Sequence, residues 1–481
     1  MPANDTNADT DPNTDADTDA LPAPPLDPVL ARLDARADVS VERLLDLLRI
    51  PSISTDPAHD ADCDRAAAWL RDDLESIGFE ARVIESAGRA FVVGRHPGPG
   101  GGADVPHVLF YGHYDVQPVD PLHEWHHPPF EPRVEGGAIR ARGASDDKGQ
   151  LMTFVEAARA HVDETGTLPV RVTVLFEGEE ESGSPSLPAF LKEYGNEITA
   201  DVALVCDTVM WDSDTPAISS SLRGLVGEEV TVTAADRDLH SGHFGGAAAN
   251  PIHILAAMMA GLHDGTGRVT LAGFYDGVPE LTEETRAEWA SLGGDLLGPI
   301  GLSEVAGEDG YTAIEATWAR PTAEVNGIWG GYTGEGFKTV IPSKASAKVS
   351  FRLVGDQDPD AVREALRAHC RAMLPTDCGI EFHPHGGGPG ITVPTDSAHL
   401  RAARAALSDE WPNPALTIGM GGSIPIVNAF KGLGMDTLLI GFALEGDRIH
   451  SPNEKYDLRS FLKGQRSWAR VLAALAAGVR P

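Results

Sequence analysis

Apolar positions alternate between two spacings along most of this chain. From Val29 to Leu48 they recur at helical spacing and predict an amphipathic helix. Beyond it, short apolar runs near 80–85, 90–95, 107–112, 170–176 and 202–206 read as strands. Stretches near 64–77 and 148–162 have the helical period, and the same alternation resumes near 396–477. Strands interleaved with helices predict an α/β fold, a mixed sheet with helices on both faces. Residues 223–388 break the rhythm, with strands at 226–234 and 346–354, helices at 250–263 and 359–373, and a less regular stretch at 300–340. They read as an inserted α+β domain. The expected organisation is a tail (1–26), a main domain in two parts (27–222 and 389–481), and the insertion between them (223–388). A chain of 481 residues is about twice what one core supports, so two domains are expected on length alone.

The tail carries six Asp and no basic residue, a composition that cannot bury enough apolar surface to fold. A solvated segment with no part in chemistry is expected there. Over the whole chain 38 Lys and Arg face 72 Asp and Glu, a net charge of −34. Such a chain will not seek nucleic acid or an anionic membrane. Four scattered cysteines, Cys63, Cys206, Cys370 and Cys378, argue against a disulfide framework and for a reducing, cytoplasmic location. No apolar run of about 18 residues predicts a transmembrane helix, and the N-terminus lacks the basic-then-apolar pattern of a signal peptide.

The candidate chemistry sits where predicted strands end. The run Arg171–Phe176 leads into Glu179-Glu180-Glu181 between Gly178 and Gly183. Adjacent carboxylates push one another toward the neutral form unless a cation lies between them. The plain alternative is a solvated acidic turn. The strand before Gly112 presents His113 and Asp115, two apart and so on one side of an extended chain. His113 could ligate a metal while Asp115 fixes its tautomer. Asp146-Asp147 open a helix and could be an ordinary N-cap. Asp207 ends another strand, and His450 lies near the C-terminus. In an open α/β sheet the carboxyl ends of strands converge on the ligand crevice. Two histidines with three carboxylates suit a pair of divalent ions.

Five ordered motifs, His113-x-Asp115, Gly143-x-x-Asp146-Asp-Lys-Gly149, Glu180-Glu181-x-Gly183-Ser184, Asp207 and His450, resemble those of the co-catalytic M20 metallopeptidases. That family includes carnosinase-like dipeptidases, glutamate carboxypeptidases and desuccinylases. The resemblance runs from about Val29 to the C-terminus. It implies that Asp146 bridges two metals and joins Asp147 through a cis peptide. His113 and Asp207 would complete one metal, Glu181 and His450 the other. Glu180 would be the general base, and Asp115 the partner of His113. The main domain becomes the catalytic domain, and 223–388 a lid through which many members form homodimers. Zinc is the expected metal, two ions per subunit, with manganese or cobalt as alternatives suited to the same N and O ligands.

The resemblance extends to the lid. His240, in Asp238-Leu-His-Ser-Gly242, matches a histidine that reaches the partner subunit's site and steadies the oxyanion. Arg352 matches an arginine that binds the substrate carboxylate, a group suited to a guanidinium fork. His385 matches another lid residue of the dipeptidase branch, and Ser423, in Gly421-Gly-Ser-Ile-Pro425, a donor to the same carboxylate. The alternatives are a plain turn at His240, a surface Arg on an edge strand and an idle Gly-rich loop. His123, His126 and His127 look like a metal tract but sit in a Pro-bearing loop, and solvent-facing or substrate-proximal roles are expected. Within that family, Asp at the position of Asp207, with the Asp238-Leu-His-Ser-Gly242 segment of the lid and the Gly421-Gly-Ser-Ile-Pro425 loop of the catalytic half, implies hydrolysis of short peptides, dipeptides first, by a di-metal-activated water with Glu180 as base. The alternative is an N-acyl or N-carbamoyl amino-acid amidohydrolase on the same scaffold. A non-catalytic metal protein and a binder acting through the acidic tail are more distant rivals.

Overall fold

The structure, a computed structural model, describes residues 26–100, 105–293, 295–422 and 424–478. The acidic tail, apart from Leu26, and Ser423 lie outside the described residues.

The main sheet has nine strands. Four at its centre run parallel: Arg171–Glu177, His107–His113, Val202–Val205 and Asp436–Ile440. Their near-continuous apolar runs follow from burial on both faces. Val108 and Phe110 point into one core cluster, with the helices Lys148–Thr165 and Leu458–Gly478. Leu109 and Tyr111 point into the other, with Leu187–Ile198 and Pro425–Gly432. Phe110 stacks on Phe154 at 3.8 Å and meets the edge of Trp468 at 5.5 Å. Parallel strands end on the same side, so the segments after His113, Glu177 and Val205 emerge together.

A second, antiparallel sheet orders Thr322–Gly330, Lys344–Leu353, Gly224–Thr233 and Gly379–Gly388. Burial alternates strictly along Gly224–Thr233. One face packs on the helices Pro251–Ala260 and Pro359–Met373, and there Arg363 and Arg367 neutralise the buried Glu228. The other face is open and carries Arg352 and His385. Trp318, in the short helix Ala313–Trp318 that precedes the second sheet's strand Thr322–Gly330, packs with Ala217 and Ile418 of the main sheet.

Three differences from the sequence reading have local causes. The predicted N-terminal helix is two, Leu26–Ala35 and Ala37–Leu48, broken at Arg36 (φ −111°, ψ 13°). The sequence reading has no strand at Thr322–Gly330 or Gly379–Gly388. Both are edge strands, and each has a bulge that breaks the alternation, between Val325 and Gly327 and between His385 and Gly387. Among the described residues no helix is long and apolar enough to cross a membrane.

Phe110→Ala removes a ring that both neighbouring aromatics pack on. It should cost about 3–5 kcal/mol of main-domain stability, read as an earlier unfolding transition in urea.

Candidate metal centre

His113 ends its strand and directs Nε2 to Asp146 Oδ1 at 3.0 Å. Its Nδ1 faces the Asp115 backbone carbonyl at 3.1 Å and Asp115 Oδ1 at 3.3 Å. The Asp115 carboxylate also accepts the N–H groups of Glu180 (3.2 Å) and Glu181 (3.0 Å). One buried side chain thereby orients the imidazole and pins the turn Glu180–Ser182.

Asp146 and Asp147 are joined by a cis peptide. Asp147 makes no capping hydrogen bond to the helix it precedes. Its Oδ2 accepts the His113 N–H at 3.0 Å instead. The plain N-cap alternative therefore fails. This approach needs Gly112, since a Cβ there would lie 2.7 Å from Asp147 Oδ2.

His450 reaches the same carboxylate from the C-terminal half, with Nε2 2.9 Å from Asp146 Oδ2 and 3.2 Å from Glu181 Oε2. It sits in a loop where Arg448, His450 and Asn453 all have positive φ (61°, 61° and 65°). Left-handed backbone at non-glycine residues costs of order 1–3 kcal/mol each and persists only where the surroundings impose it. Here the Asn453 side chain is held by the Glu124 carbonyl and the His126 N–H. His123, His126 and His127 join no candidate metal group among the described residues.

Two groups of possible ligands result: His113, Asp146 and Asp207, and Asp146, Glu181 and His450. In each the donor atoms lie within 4.8 Å of one another. Asp146 belongs to both. Glu180 stands beside them and belongs to neither. Burial raises the Asp207 carboxyl to about 8, and Asp146 adds to the shift. Burial also raises Glu180 well above the usual range, with Asp207 and Glu181 adding to it against His113. Hydrogen bonds to Asp146 and Glu181 lift His450 to about 10. His113 is raised well above its ordinary value because bonds to Asp115 and Asp146 outweigh burial. In the protein alone, both imidazoles that flank Asp146 thus hold a proton more tightly than a free histidine does. A pair of divalent cations fits this donor set. Its carboxylates exceed its positive partners, and the buried Glu181 Oε1 has no hydrogen-bond partner.

Of the candidates in 223–388, His240 accepts the Gly242 N–H on Nδ1 (3.0 Å) and stacks on His243 at 4.6 Å. His385 lies 3.9 Å from Glu229.

Sequence reasoning missed Glu454. This buried carboxylate accepts the N–H groups of Gly143, Ser145 and Asp146 at 2.9–3.1 Å and pairs with buried Arg142 at 2.8 Å. It locks the Asp146 loop to the His450 loop. Its place four residues after His450 was the only available signal. Gln117 was also missed. Its amide donates to Glu181 Oε2 at 2.7 Å.

The model for "Peptidase family M20/M25/M40" matches residues 109–474. The Cys-Gly metallodipeptidase DUG1 of Candida albicans is 30% identical over 92% of this chain and 95% of its own length. The human Beta-Ala-His dipeptidase is 28% identical over 95% of this chain and 94% of its own length. The solved structure of the Saccharomyces cerevisiae dipeptidase Dug1p superposes with a TM-score of 0.79, at 27% identity, covering 94% of this chain and 98% of that one.

Two measurements test this geometry. Bound cations must displace the His113 and His450 protons and meet Asp207 ionised. Falling pH restores those protons, so metal affinity should drop as pH passes below about 10 and then about 8. Metal content after dialysis against limiting zinc should be lower at about pH 6 than at about pH 8.5; equal content would contradict the assignment. Glu454→Ala strands the Arg142 charge and should cost about 3–5 kcal/mol in denaturant unfolding, with weakened metal retention. From the place of Asp146 in both possible ligand groups, the order of the motifs and the match along most of its length, this chain belongs to peptidase family M20/M25/M40.

Proposed function

We propose that this protein is a metal-dependent dipeptidase. The observation that carries the reading is Asp146 shared by two ligand groups, with Glu180 beside them and outside both. A pure metal-binding site has no use for that extra carboxylate. The names of the three relatives reported above point the same way, since all three are dipeptidases.

In this reading His113 and Asp207 hold one ion, Glu181 and His450 the other, and Asp146 both. Such a pair, when bound, supplies an acidified water and polarises the scissile carbonyl. Glu180 takes the proton of the attacking water and hands it to the leaving amine. Its raised affinity for protons, from burial and neighbouring acids, suits that transfer. Asp115 keeps the His113 tautomer and holds the Glu180 turn in place. Zinc is the metal we assign, with manganese or cobalt the alternatives that the same N and O donor set accepts.

Arg352, His385 and Ser423 are assigned to the substrate. Arg352 and His385 share the open face of the lid sheet, as their pairing with Leu225 and Gly227 requires. His240 is assigned to the site of a second copy. A homodimer through the lid is supported by its exposed apolar side chains, Val325, Ile328, Trp329, Tyr332 and Phe337, the last 91% exposed. They lie on and just beyond an edge strand whose outer backbone is unpaired in the sheet order. Four free cysteines, three of them buried, support a reducing compartment, the cytoplasm.

The test is amine release from free dipeptides, tripeptides and N-acyl amino acids, with zinc-loaded protein. Dipeptides should be the best substrates. Turnover of N-acyl compounds alone would overturn the dipeptidase reading. Glu180→Gln should lower kcat by roughly 10²–10⁴-fold with metal content retained; unchanged turnover would remove Glu180 from its role.

A further inference from the structure

Arg223 occupies the join between the two sheets. The main-sheet strand Ala217–Leu222 ends just before it, and the lid strand Gly224–Thr233 begins just after. Alternation of burial runs unbroken through the join, so Arg223 shares a face with Leu225. Leu225 pairs with Arg352, which makes Arg223 and Arg352 diagonal neighbours on the open lid face. Long side chains at diagonal positions reach one another.

Arg223 also touches the catalytic half. Its backbone N–H donates to the Gly422 carbonyl at 3.1 Å, and its Nε to the Gly421 carbonyl at 3.4 Å. A Cβ at Gly421 would lie 3.0 Å from Arg223 Nη2, so the guanidinium rests close against this loop. Gly421 O is its one side-chain hydrogen-bond acceptor among the described residues. A guanidinium has five N–H donors in a planar fork. Burial, and then the like charge of Arg352, lower Arg223 to about 10, and the exposed Glu324 only partly opposes this. Two half-buried cations side by side repel, and an anion shared between them relieves the repulsion. The join thus brings two arginines and a glycine loop together, a constellation for a carboxylate.

We infer that Arg223 is a specificity-determining residue, a second guanidinium that acts with Arg352 to hold the free terminal carboxylate of the substrate. The inference deepens the function proposed above and rests on it only in that the substrate carries such a group. Arg223 contacts both halves, so carboxylate binding is coupled to the relative position of lid and catalytic sheet.

The experiment compares a free dipeptide with the same dipeptide amidated at its C-terminus, using zinc-loaded full-length protein. In Arg223→Gln, KM for the free acid should rise about ten- to hundredfold, the span of a lost charge-assisted hydrogen bond. The amide should change little, so the acid-over-amide ratio of kcat/KM falls by at least about tenfold. Arg223→Lys keeps the charge without the fork and should give an intermediate ratio. It is read the same way if Arg223→Gln fails to fold. A ratio equal to wild type in the folded variants overturns the inference, because a purely structural residue would slow both substrates alike. Should wild type turn over only N-acyl amino acids, the dipeptidase reading fails. The same ratio, taken on an N-acyl amino acid and its amide, still decides the role of Arg223.

Discussion

Asp146, Glu180, Glu181 and Asp207 converge where parallel strands end, and their mutual repulsion in a buried space is the term the surrounding structure answers. Burial drives Asp207 and Glu180 toward the neutral form. Asp146 alone stays well below the usual carboxylate range, because hydrogen bonds from His113 and His450 outweigh its burial. Concentrating acid in this way favours cation binding, since divalent ions are the partners that satisfy Asp146, Glu181 and Asp207 at once and leave Glu180 beside them.

The constraint explains the polar scaffolding around the site. Asp115 ties His113 to the Glu180 turn. Glu454 ties the Asp146 loop to the His450 loop across 309 positions of sequence. Asp447 does the same in parallel, accepting from the Ser145 hydroxyl at 3.0 Å and pairing with Lys455 at 2.6 Å. Each is a buried acid with several donors, the arrangement that makes a buried charge tolerable. Of the left-handed residues of the His450 loop, Asn453 is held separately, by the Glu124 carbonyl and the His126 N–H.

Much of the site was legible in the sequence because its residues stand at strand ends, where the apolar run stops and polar chemistry begins. His113, Asp146, Glu181, Asp207 and His450 come together as their motifs implied. Glu454 was not legible. Its role arises from a contact between distant loops that no spacing encodes. Arg223 was hidden for a related reason, since its neighbour Arg352 follows from strand register and not from the chain around it. The two edge strands of the second sheet at Thr322–Gly330 and Gly379–Gly388 escaped detection because edge strands are half solvated, and their bulges erase the period of two.

The central claim is that one carboxylate serves two ions. The most direct test is the metal stoichiometry of zinc-loaded protein, compared for wild type, Asp146→Ala and Asp207→Ala. The account predicts two ions per chain in wild type, loss of both in Asp146→Ala and loss of one in Asp207→Ala. One ion retained in Asp146→Ala, with the fold intact by circular dichroism, would contradict it.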